Sequence, residues 1–132
     1  MLEQHRYVSI ATKKHSGQCV WTPVWMAFVE STVESKSAYY LFSAGAAGKV
    51  KRLRNYPEIQ VAPCTVSGKI TGPIVKAKAW LENDAAISAK AYQALRRKYG
   101  WQMAVLDLFS KLGGNFHQRQ LIGFSITEPA AG

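Results

Sequence analysis

Apolar and polar residues alternate most regularly in residues 74–81 (IVKAKAWL), with Val75, Ala77, Ala79 and Leu81 on one side and Ile74, Lys76, Lys78 and Trp80 on the other. A period of two is that of a half-buried strand. Further runs of β-favouring residues occupy 7–12 (YVSIAT), 38–43 (AYYLFS), 58–65 (EIQVAPCT) and 119–127 (RQLIGFSIT). Residues 19–29 (CVWTPVWMAFV) form a further strand, rich in Val, Trp and Phe. Pro23 lies inside it and lacks a ladder N–H, which predicts an edge, a bulge or a place where the ladder opens. Residues 13–18 (KKHSGQ), with Gly17, predict a hairpin turn, residues 31–37 a polar connection, and residues 66–73 (VSGKITGP) a second turn.

The period changes in residues 44–55 (AGAAGKVKRLRN), where turn residues lead into a helical stretch that ends before Pro57. Asn83 is suited to cap a helix running to about Tyr99, with Ile87, Ala91 and Leu95 along one face and Gly100 after its end. Residues 101–112 (WQMAVLDLFSKL) predict a second short helix, stopped at Gly113 and Gly114. Five strands with a short helix among them, then a helical pair and a closing strand, predict a mainly β protein. The expected architecture is a six-stranded antiparallel barrel with helical additions. No repeat or linker interrupts the 132 residues, so residues 1–132 are expected to form one domain.

With 48% hydrophobic and 19% charged residues the composition is globular. Apolar stretches such as residues 24–29 are too short to span a bilayer, and residues 1–6 are polar, without the apolar core of a signal peptide. A cytoplasmic protein without membrane association is expected. Cys19 and Cys64 are too few for a disulfide scaffold or a zinc cluster. They read as free thiols, and a redox pair has no supporting motif. The formal charge of +9 attracts phosphates, nucleic acids or acidic surfaces without choosing among them.

The segment richest in chemistry is 43–54 (SAGAAGKVKRLR), where Lys49, Lys51, Arg52 and Arg54 crowd six positions at the start of a predicted helix. Small residues allow close backbone approach, and a helix start offers free N–H groups and the positive end of a dipole. Lys49 and Arg52 share one helix face, and Ser43 adds a hydroxyl. These are the parts of a phosphate site, although a solvated basic helix accounts for the same residues. The segment is not a P-loop, because Val50 follows Gly48 and Lys49, and no G-x-G-x-x-G fingerprint occurs.

In residues 21–25 (WTPVW), aromatics beside a strand-interrupting proline could form a flat apolar slot, its freed backbone groups bonding a ring edge; core packing explains them more simply. His5, His15 and His117 are scattered, and no nucleophile motif or carboxylate pair stands out. No metal site is expected and no catalytic residue is assignable. Hydride transfer by a bound cofactor needs less from protein acids and bases than hydrolysis does.

Residues 7–12, Gly17, Thr22 to Trp25, Gly48 to Leu53, Pro57, Ala62 to Cys64, Gly68 and the Gly72–Pro73 pair occur in a characteristic order and spacing. Together they resemble the pyridoxamine 5'-phosphate oxidase-like split β-barrel family. The likeness is greater to its flavin- and deazaflavin (coenzyme F-420)-dependent oxidoreductase branch, and it covers roughly residues 5–127. The resemblance implies an FMN-binding type of split barrel, a homodimer with two cofactor sites at the subunit interface, and a small organic substrate. It implies that Lys49, Lys51 and Arg52 hold the cofactor phosphate with Phe42 and Ser43 nearby. It places Pro23, Val24 and Trp25 along the ring system.

In the oxidases an arginine precedes the first lysine of the helix segment. Here that position is Gly48, with Arg52 the candidate replacement. The C-terminal Arg-x-His signature is missing, which argues against oxidation of pyridoxamine phosphate. The cofactor implied is FMN or coenzyme F-420. The second carries a polyglutamyl tail that a basic groove of Lys51, Arg54, Lys76 and Lys78 would suit. Two other functions compete: a flavin or tetrapyrrole carrier without turnover, and a nucleic-acid-binding domain. The latter lacks any RNP-like or helix-turn-helix pattern.

Overall fold

The computed structural model describes residues 4–29, 38–44, 48–100, 102 and 119–128. The elements are β1 (Val8–Lys13), β2 (Cys19–Val24), β3 (Ala27–Val29), β4 (Ala38–Ala44), α1 (Gly48–Asn55), β5 (Glu58–Pro63), β6 (Val75–Glu82), α2 (Ala85–Tyr99) and β7 (Arg119–Glu128). The expected second helix, apart from Gln102, and His117 lie outside the described residues.

All seven strands belong to one antiparallel sheet in the order β2-β1-β5-β6-β7-β4-β3. The two edge strands, β2 and β3, are consecutive in the chain and joined by Trp25 and Met26 alone. A link that short brings one end of each sheet edge together, so the sheet curls into a barrel closed at that corner. Six strands were expected and seven occur, because residues 19–29 break into two. Pro23 stands opposite Ser9 on edge strand β2, the place a residue without a ladder N–H tolerates best. The chain leaves β1 just beyond it and pairs with β4 instead.

Alternation sorts the side chains. Val8, Ile10, Leu41, Val61, Ala77, Ala79, Ile122 and Phe124 fill the barrel, and α1 adds Val50 and Leu53 to the same core. Helix α2 covers another surface, where Ala91 packs with Tyr40 and Leu121 and Leu95 packs with Ala27. Its cap is Asp84, whose Oδ1 accepts from the N–H groups of Ala86 (2.9 Å) and Ile87 (3.1 Å). Asn83 was the expected cap; its Oδ1 instead accepts from Gln120, because β6 runs on to Glu82 and shifts the helix start by one residue.

The two cysteines cannot pair. Cys19 stands opposite Lys13 at one end of β1, and Cys64 bonds Tyr7 at the other. Six residues of strand separate them by about 20 Å, far beyond disulfide reach.

Candidate cofactor site at the mouth of the first helix

Helix α1 begins at Gly48, with no acidic residue in its first turn. Its leading N–H groups have no partner within the helix and carry the positive end of the dipole. The Arg52 side chain folds back over this end. A Cβ on Gly48 would sit 2.7 Å from an Arg52 guanidinium nitrogen, so the glycine leaves the space that the arginine fills. Arg52 is fixed there by a 2.6 Å bond from its Nε to Oγ1 of Thr12, a fully buried residue of β1. The resemblance suggested Arg52 as a replacement for an arginine at position 48, and the geometry puts its guanidinium beside that position.

Lys49 is half-buried beside this arginine. Burial, and secondarily the Arg52 charge, hold its ammonium below the ordinary lysine range. Two cations held together and partly stripped of water are poised for an anion, which removes their repulsion and replaces lost hydration. Buried Ser43 lies in β4, five residues before the helix start at Gly48. Phe42 does not join it: it packs beneath α2, edge-to-face with Tyr92, because neighbouring strand residues point to opposite faces.

Exposed Lys51 lines a cleft of about 520 Å³ with Arg52, Tyr56 and the β1–β2 turn residues Lys13, Lys14 and His15. The groove expected from Lys51, Arg54, Lys76 and Lys78 is not one feature. Lys76 lines a separate hollow of about 270 Å³ beside Cys19 and Glu58, and Lys78 stands opposite Glu58 on the neighbouring strand. Sequence reasoning missed Lys13, Lys14 and His15, which read as an ordinary hairpin turn; only the fold sets that turn against α1.

At the barrel corner, Pro23 is exposed and Val24 and Trp25 are half-buried. The Trp25 ring stacks on Tyr99 of α2 with centroids 4.4 Å apart and planes 7° from parallel. The backbone groups of Met26, just beyond residues 21–25, do not face an open slot. The Met26 N–H donates to the Tyr99 hydroxyl at 3.1 Å, and the Met26 carbonyl accepts from Lys98 at 2.8 Å. The same hydroxyl donates to the Arg6 carbonyl at 2.7 Å. Burial pushes the Tyr99 phenol up to about 12, against smaller lowering effects of its Met26 bond and the Arg6 charge. No sequence pattern distinguished Tyr99 from any other residue of a helix end.

The corner and the helix mouth are served by opposite ends of β1, since Val24 pairs with Val8 while Arg52 binds Thr12. Four residues of strand separate these points by about 13 Å. Among the described residues there is no cluster of three or more potential metal ligands, and no helix is long and apolar enough to cross a membrane.

No protein-family model and no curated protein sequence matches the chain. Solved structures do. A pyridoxamine 5'-phosphate oxidase-like protein of Listeria innocua aligns with TM-score 0.59 and 16% identity, over 96% of this chain and 88% of that one. An FAD-binding protein of Mesorhizobium loti gives 0.59 and 19%, over 96% and 83%. A structure described as an F420 reductase gives 0.58 and 12%, over 96% and 90%. The haem-storage protein HutZ of Vibrio cholerae gives 0.63 and 14%, over 98% and 84%. The fold is therefore that of the pyridoxamine 5'-phosphate oxidase-like split barrels, as the resemblance in the sequence implied. Proteins with this fold include binders of FAD, a reductase and a haem store, so the fold alone does not assign an activity.

Proposed function

We propose that the protein is an oxidoreductase that binds FMN or coenzyme F-420 at the mouth of α1 and transfers a hydride to or from a small organic substrate. The observation that carries this reading is the Arg52 guanidinium seated over Gly48 beside half-buried Lys49. In this reading the cofactor phosphate is held by Lys49, Arg52 and the leading N–H groups of α1, with Ser43 at hand and Thr12 keeping Arg52 in place. Val24 and Trp25 flank the ring system, and Tyr99 fixes Trp25 in orientation by stacking. When bound, the cofactor supplies the hydride chemistry; the protein supplies position and charge. Half-exposed Trp21 and Phe28, on edge strands β2 and β3, suit a second subunit completing the site, as in a homodimer.

Absorbance and calorimetric titration with each cofactor tests the assignment. Tight binding at one per subunit, weakened at least tenfold in Lys49→Ala/Arg52→Ala, is expected from the usual strength of charged hydrogen bonds. Undiminished affinity in that variant removes the site.

A carrier without turnover is the second reading, because the haem-storage protein HutZ has the same fold. Electron transfer from reduced, bound cofactor to quinone or enone acceptors separates the two readings.

A further inference from the structure

The cleft between the β1–β2 turn and α1 is built by two walls of cations. Lys13 and Lys14 come from one, Lys51 and Arg52 from the other, with His15 beside them and no carboxylate in the lining. The turn is rigid. Gly17 takes φ of 89°, which a side chain would resist, and the turn is closed by bonds from the Lys14 N–H to the Gln18 carbonyl and from the Gly17 N–H to the Lys14 carbonyl, both 2.9 Å. His15 ties the turn to Tyr56, the residue after the helix: its Nδ1 lies 3.3 Å from the Tyr56 hydroxyl, and the rings meet edge-on. The lysines are thus presented on a bonded turn, and an external anion would offset their mutual repulsion within the cleft.

We propose that this cleft is a second anion-binding subsite, taking the outer phosphoryl or carboxylate groups of a small oligoanion. A space of about 520 Å³ is several times the size of one phosphate, so a chain of anionic groups fills it better. Arg52 borders both this cleft and the mouth of α1, so the ligand is either an extended cofactor or a separate oligoanion. Nucleic acid fits less well. The Tyr56 ring that could stack a base is met edge-on by His15 and approached by Lys13, whose Nζ lies 6.0 Å from its centroid.

Calorimetry with inorganic tripolyphosphate tests the proposal on wild-type protein, on Lys14→Gln/Lys51→Gln, on Lys49→Gln and on the charge-matched control Lys78→Gln/Lys90→Gln. Saturable binding is expected, weakened roughly fivefold or more in the first variant, on the scale of two exposed charge contacts. The control should change it less than twofold. Equal affinity for protein already loaded with FMN supports a separate oligoanion. An advantage of FAD over FMN that vanishes in Lys14→Gln/Lys51→Gln supports an extended cofactor. The proposal is overturned by absent tripolyphosphate binding while FMN still binds, an outcome that leaves the assignment of the α1 mouth intact. It is also overturned by equal losses in the control, by a loss confined to Lys49→Gln, or by a single-stranded oligonucleotide outcompeting tripolyphosphate through the same lysines.

Discussion

Replacing Tyr99 by Phe removes one oxygen and keeps the ring that stacks on Trp25. That oxygen accepts from Met26 N–H at 3.1 Å and donates to the Arg6 carbonyl at 2.7 Å. Met26 is fully buried, so its N–H is left without a partner, at a cost of about 1–3 kcal/mol. The lost bond to Arg6 adds about 0.5–1.5 kcal/mol, while the Met26 carbonyl keeps Lys98. The total is about 2–4 kcal/mol, or a fall of roughly 7–14 °C in Tm for a chain of this length. Urea denaturation should show a lower midpoint with an unchanged m-value. The alkaline limb carries a second signature. The phenol titrates near 12 in the fold and near 10 when unfolded, so its contribution is complete below pH 10 and is lost as pH rises toward 12. The Phe variant should lose stability less steeply over that interval. A destabilisation below about 0.5 kcal/mol with an unchanged alkaline limb would refute the view that Tyr99 clamps the barrel corner.

Gly48→Ala should displace the Arg52 guanidinium, since the new Cβ meets its flexible end at 2.7 Å. Thermal stability should shift by less than about 1 kcal/mol while FMN affinity drops several-fold in calorimetry. Because Lys49 sits below the ordinary lysine range, cofactor affinity should decline with rising pH earlier than a normal lysine allows. A pH series of titrations checks this, and Lys49→Arg should abolish the decline. Gly123→Ala should be severe, because its Cβ would approach the Trp80 ring to 2.6 Å on the neighbouring strand. A loss of about 1–3 kcal/mol or more is expected in urea denaturation.

Much of the barrel was legible because strand periodicity is local. Lys76 and Lys78 face outward and Ala77 and Ala79 inward, as the alternation in the sequence requires. Pro23 correctly marked an edge. What it did not reveal is that the chain changes partner just beyond it, from β1 to β4, because partner choice depends on a curl of the whole sheet. The proposed phosphate site was half legible. Lys49 and Arg52 could be paired by helical spacing, but the seating of Arg52 over Gly48 depends on Thr12, forty residues earlier in the chain. Phe42 and Ser43 looked like one feature because they are adjacent, yet adjacency in a strand sends them to opposite faces. Tyr99 and the lysines of the β1–β2 turn gave no local signal, since each acquires its role from a partner distant in sequence.

The central claim is that the mouth of α1 grips a cofactor phosphate, and riboflavin, which lacks that phosphate, isolates it. Wild-type protein should bind FMN at least tenfold more tightly than riboflavin, and Lys49→Ala/Arg52→Ala should bring the two affinities together. Equal affinities for FMN and riboflavin in the wild-type protein would contradict the account.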